Sequence, residues 1–401
     1  MTRFYSLIFC ILALACISCS DGSNNEPQLP PEEPEKPVNP GGEEIDFSKV
    51  GIEYDDGTNI IFHVKLAIDK EGYEMRDAAY FKTHLKTQWE KINERFNGLD
   101  KKKALKRNYI FVPDLENIIL YSRNDNKDKP YDVHWEVPKH HNAEIDRKKF
   151  QCLVVYDFAI QEDEVGKGGG FGDDDGLANI LVINPGESNV GKFYDHFSES
   201  ANTAAAITHE MGHFRGITDT YLCNISANNN PVSGEGFKAE TGNMNNPYPS
   251  LENCAWSDYE IRVINLNGAK KEFRLSWNCM QAYFPENIEL TITENGTNIE
   301  DCTLNIYKIE DYKVNPTIIK TFSIEGNTVR KNATELFWYG SAAWSFYHLI
   351  LVEVINNKTK NKGYSFIPAY EVHNQGIIDK YENKISGKST FKRTIEIKKT
   401  K

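Results

Sequence analysis

The chain has 401 residues and a formal net charge of −12, with 40% of its residues hydrophobic and 12% aromatic. That length accommodates two ordinary domains, each with its own core. The negative balance, with no strongly basic run before the lysine-rich C-terminus, excludes nucleic acid and anionic lipid as main partners.

Residues 1–18, MTRFYSLIFCILALACIS, place one early cation, Arg3, before an apolar run and then small residues, the layout of a secretory signal peptide. The run is too short and too N-terminal for a membrane span. The Cys19-Ser20-Asp21-Gly22 that follows resembles a bacterial lipoprotein signal, cut before a cysteine that is then acylated. The resemblance implies a lipid anchor at Cys19 as the sole membrane contact, and display at the outer membrane or cell surface. Cys16 is the rival acceptor and plain secretion is the alternative. Residues 20–46 hold six of the sixteen prolines and almost nothing apolar, so 19–46 reads as an extended tether. Two domains are expected beyond it, over 47–280 and 281–401.

Asn59–Asp69 alternates, with Phe62, Val64, Leu66 and Ile68 on one face, which predicts a strand. Ala78, Phe81, Leu85, Trp89, Ile92 and Phe96 recur at helical spacing, and Asn97-Gly98 stops that helix. Short strands are expected over Tyr109–Val112 and Asn117–Tyr121, then a buried strand within Phe150–Ala159. Gly166–Gly176, GKGGGFGDDDG, lacks the residues of a phosphate loop. It reads as a loop with a short edge strand, or as a calcium site using Asp173, Asp174 and Asp175. Ala178–Asn184 predicts a further strand, and a helix is expected from an N-cap at Ser198 through NTAAAI into the next motif. Strands and helices in this order predict an α/β arrangement with a mixed sheet.

That motif is AITHEMGHFRGITDTY, from Ala206 to Tyr221. Four helical residues span about 400°, so His209 and His213 lie about 40° apart around the axis and one turn apart along it, able to grip one cation. Glu210 can then reach a water on that cation without itself being a ligand. Zinc suits the set, because imidazole binds it well and a fourth position stays open for water. The ion would bring the water pKa toward about 7, with Glu210 as general base. Gly216 can take the left-handed conformation that ends a helix, which brings Asp219 back as the third ligand. Glu235, Glu240, Glu252 and Glu260 are formal alternatives for that third position.

His-Glu-x-x-His-x-x-Gly-x-x-Asp resembles the extended zinc motif of the metzincin metallopeptidases, in the version with aspartate as third ligand, and is most similar to the snapalysin type. The resemblance implies an N-terminal subdomain with a twisted mixed sheet, a backing helix and an active-site helix, followed by a small irregular subdomain. It also implies a methionine turn beneath the metal, for which Gly242–Tyr248 with Met244 is the candidate. A tyrosine stands four residues past that methionine, not two as in some metzincins, so the resemblance leaves open whether Tyr248 or Tyr221 assists. His140, His141 and His196 read as surface histidines.

Cys223 and Cys254 flank the candidate turn, and a disulfide between them would staple a small subdomain of an exported protein. From about residue 281, strands at Ile288–Ile292, Cys302–Ile309, Thr317–Ile324, Glu335–Trp338, Trp344–Ile355, Gly363–Ile367 and Phe391–Ile397 alternate with turn signals. This predicts an immunoglobulin-like or fibronectin-like β-sandwich. Trp338, Tyr339, Trp344 and Tyr347 belong to its core or interface, or else form a sugar-binding face. The expected function is that of a monomeric zinc endopeptidase acting on protein or peptide substrates. The alternative is an adhesion or glycan- and protein-binding lipoprotein with a vestigial metal site.

Overall fold

The computed structural model describes residues 55–122, 145–146, 148–159, 170–174, 177–182, 191–269, 276–326, 328–343 and 345–398. The signal peptide, Cys16, Cys19, the tether, His140, His141, Asp175 and Trp344 lie outside them. None of the described helices is long and apolar enough to cross a membrane.

Strands β1 (Asn59–Asp69), β2 (Asn108–Pro113), β3 (Ile119–Tyr121), β4 (Cys152–Tyr156), β5 (Gly170–Asp174) and β6 (Leu177–Val182) form one sheet. Its order is β2-β1-β4-β6-β5, and β3 prolongs the edge begun by β2. All pairs are parallel except β5 with β6. β4 reads as an unbroken apolar run because both its faces are covered. Val154 and Tyr156 pack on the helical side, while Leu153 and Val155 meet Tyr121, Ile145 and Phe150 on the other.

The backing helix, Ala78–Gly98, is capped by Asp77, whose side chain accepts from Tyr80 N at 2.7 Å. It buries the apolar stripe expected of it. Asn93 and Asn97 on the same helix each exchange two amide hydrogen bonds with the β2 backbone, at Phe111 and Tyr109. Edge groups that would otherwise face no partner strand are satisfied in this way. The motif helix differs from expectation at its start. Ser198 precedes only a single 3₁₀ turn, Glu199–Ala201, and Asn202 then takes a left-handed φ of 53° before the α-helix Thr203–Phe214 begins. Asparagine tolerates that conformation, so the chain turns there instead of running on as one helix.

After helices Asp258–Asn267 and Ser276–Tyr283 the chain builds two further sheets. One has the order β10-β9-β12-β13, all antiparallel, from Lys313–Glu325, Asp301–Glu310, Leu349–Asn356 and Lys362–Pro368. The other has the order β11-β7-β14, from Thr328–Asn332, Asn287–Glu294 and Thr390–Ile397, with the two-residue β8 (Thr297–Asn298) beside β7. β14 runs parallel to β7. Leu290 and Ile292 of β7, Leu304 and Ile306 of β9, Val352 of β12 and Ile395 of β14 share one core. Trp338 packs there against Phe284, whereas Tyr339 is exposed.

Three expectations are corrected. Glu335–Trp338 is no strand: Asn332 Oδ1 accepts from Glu335 N at 3.2 Å and caps a helical turn, Ala333–Phe337. The strand expected from Trp344 begins only at Leu349. The Cys223–Cys254 disulfide is not formed, and both thiols are buried. Cys223 Sγ donates to His348 O at 3.3 Å, while Cys254 Sγ faces Asn246 O at 3.6 Å, so the two thiols have separate partners. The two units also share apolar contacts, since Tyr307, Leu349, Leu351 and Phe366 join the core of the first unit.

Candidate metal centre

Gly216 ends the motif helix in a left-handed conformation, with φ +89°. Its N–H donates to His213 O at 2.8 Å, and Ile217 N donates to Gly212 O at 3.1 Å. This is the double closure of a Schellman cap, and it satisfies carbonyls that a helix end leaves open. A Cβ at Gly216 would lie 2.1 Å from Asn267 Nδ2, so both backbone angle and space select glycine.

The turn delivers Asp219 to the histidines. Asp219 Oδ1 lies 3.1 Å from His209 Nε2 and 3.2 Å from His213 Nε2. His209, His213 and Asp219 are the one group among the described residues whose ligand atoms could share a metal ion. The two imidazole rings stand 4.9 Å apart, nearly perpendicular, so each aims a nitrogen at a common point. The remaining nitrogens are fixed by carbonyls: His213 Nδ1 lies 2.7 Å from Ile217 O, and His209 Nδ1 lies 3.2 Å from Asn243 O. Such partners favour the Nδ1–H tautomer and turn Nε2 toward the common point.

A divalent cation fits these residues. Asp219 Oδ1 is buried and has no hydrogen bond of good geometry, although it stands between two imidazole nitrogens. Two imidazoles and one carboxylate oxygen form a donor set suited to zinc. Burial alone would raise the Asp219 carboxyl pKa, but His213 and His209 hold it far below the usual carboxylate range. Burial works against a charged His213, yet Asp219 and Glu210 outweigh it and lift its pKa to about 9.

Glu210 is 8% exposed beside these ligands, and burial raises its carboxyl pKa against the pull of both histidines. Met244, fully buried, lies under the helix: a Cβ at Gly212 would fall 2.7 Å from its Sδ. Met244 O also accepts from Thr220 N at 3.3 Å, tying the turn to the ligand loop. Tyr248 is 53% exposed, and its hydroxyl pKa is raised by burial and by Glu210. The ring of Tyr221 is 6.2 Å from that of His209. Asp173 and Asp174 fall on the edge strand β5.

Two contributors escaped sequence reasoning. Glu260, one of the formal ligand candidates, accepts instead from Asn243 N, Met244 N and Ser257 N at 3.2, 2.8 and 2.7 Å. The Ser-x-x-Glu spacing of its capping box with Ser257 was the available signal. His348, from the second unit, has no local signal at all. Its Nδ1 lies 3.5 Å from Thr218 Oγ1, and burial drives its pKa down to about 4. His196, expected at the surface, is 2% exposed and bonds to Asp157 O at 2.8 Å.

No family model matches the chain, and no curated protein matches it. Among solved structures, wild-type OgpA from Akkermansia muciniphila aligns in one crystal form over 82% of this chain and 97% of that chain, at 11% identity and a TM-score of 0.31. A second crystal form aligns over 82% and 98%, at 12% identity and a TM-score of 0.32. Catalytically inactive OgpA in complex with an O-glycopeptide (glycodrosocin) substrate aligns over 81% and 97%, at 10% identity and a TM-score of 0.32. Scores this low do not establish a shared fold.

Proposed function

We propose that this protein is a zinc-dependent endopeptidase of metzincin-like architecture, with an immunoglobulin- or fibronectin-like sandwich behind it. It is anchored at the bacterial outer membrane or cell surface through Cys19, and it hydrolyses peptide bonds of extracellular proteins. The observation that carries the reading is the convergence of Asp219 Oδ1 on the Nε2 atoms of His209 and His213. His209, His213 and Asp219 would hold the ion. When bound, the ion supplies Lewis acidity toward a carbonyl oxygen and acidifies water. Glu210, one residue from His209, would serve as the general base that accepts a proton from the attacking water and passes it to the leaving amine nitrogen. β5 is the last strand of its sheet path, so an extended peptide can add there with backbone hydrogen bonds.

The test separates binding from chemistry. Glu210→Ala should retain one equivalent of zinc by elemental analysis while cleavage of a denatured proteome falls by about 10³-fold. Cleavage at the parent rate would end the proposal.

A further inference from the structure

The segment from Ile217 to Met244 carries Asp219 and joins the motif helix to the methionine turn. Its regular structure amounts to two 3₁₀ turns, Tyr221–Cys223 and Ala227–Asn229, and one bridge, Ile225 with Phe237. Its backbone is held beside Asp219 where Thr220 N and Tyr221 N both donate to Met244 O, and much of the rest of its support comes from side chains. Many of its fixings lead to the C-terminal unit. Asn229 Nδ2 donates to Tyr312 O at 3.1 Å, and Glu240 N donates to Tyr370 Oη at 3.2 Å. The ring of Phe237 packs 5.4 Å from that of Phe366. Nearest the ligands, Cys223 Sγ donates to His348 O, and Thr218 Oγ1 lies against His348 Nδ1. Thr218 is 4% exposed and immediately precedes Asp219. The His348 ring is itself held 4.7 Å from that of Phe346.

We propose that the C-terminal unit is the back wall of the metal centre and that His348 is a positioning residue, fixing the third ligand Asp219 through Thr218. This rests on the metal reading above. Groups that orient ligands from behind change metal affinity 10–100-fold when removed. His348 touches no reacting atom in this scheme. It limits how far the Thr218–Asp219 backbone can drift from the two imidazoles, which the rigid motif helix already holds.

The experiment is chelator competition on the full chain loaded with zinc, alongside the melting temperature of the metal-free protein. His348→Ala and Thr218→Val should each weaken zinc retention by about tenfold, with the metal-free melting temperature unchanged. His348→Asn, which returns a donor and acceptor near the Nδ1 position, should restore retention to within about twofold of the parent. Retention by His348→Ala equal to the parent's overturns the inference. So does a loss that His348→Asn does not relieve, because it would assign His348 to packing alone. A parent protein that holds no zinc is a different result, and it overturns the metal reading itself.

Discussion

At the residue scale, the centre depends on a few positions where one atom decides. Gly216 is the clearest. Alanine there must adopt φ +89° and place a Cβ 2.1 Å from Asn267 Nδ2. Left-handed backbone costs a non-glycine residue about 1–2 kcal/mol, and overpacking adds about 1–3. Gly216→Ala should therefore lower unfolding free energy by about 2–5 kcal/mol in urea titration; an unaltered midpoint would refute the account. The turn at Gly216 and the convergence of His209, His213 and Asp219 were legible in the sequence, because one helix and one turn place all four within eleven residues. His348 was not. It sits 130 residues from Thr218, and only the docking of two units brings them together.

At the scale of elements, the methionine turn is held from outside. Its amides at Asn243 and Met244 end on the Glu260 carboxylate, which also receives Ser257 N and so belongs to the start of helix Asp258–Asn267. Arg95 of the backing helix donates to Pro247 O and to Pro249 O, on either side of Tyr248. Removing Glu260 leaves three buried N–H groups without an acceptor, each costing about 1–3 kcal/mol. Glu260→Ala should lose at least about 3 kcal/mol and release zinc faster in the same urea and chelator titrations, with Glu260→Gln losing less. Equal stability of Glu260→Ala and the parent would show that the turn holds itself. The sequence disclosed the turn through its neighbours but not its anchor, since a buried glutamate and a ligating glutamate read alike. Helix Ala369–Ile377 and β11 escaped for another reason: short segments that alternate weakly take their form from the surfaces they meet.

At the scale of the whole molecule, the interior is sensitive to acid. His373 is fully buried, with Nδ1 3.0 Å from Tyr259 Oη and Nε2 3.1 Å from Cys279 O, and burial presses its pKa down to about 3. Burial likewise lowers His196 to about 4. Both pKa values are depressed below the unfolded value of 6.5, so their contribution is complete above that pH. It is lost as pH falls from there through 4 and toward 3, at up to about 1.4 kcal/mol per pH unit for each residue. Denaturation midpoints should drop between pH 6.5 and 5, and His373→Gln, weaker at neutral pH, should show a shallower acid slope. Matching slopes would refute the assignment. β14, the last strand, pairs with β7 about a hundred residues earlier, and Lys398 bridges to Lys362 at the start of β13. A chain emerging N-terminus first therefore completes its motif helix long before the sheets that pack against the Asp219 loop can close. The loop that carries Asp219 gains its partners Tyr312, His348 and Tyr370 only after the second unit has folded.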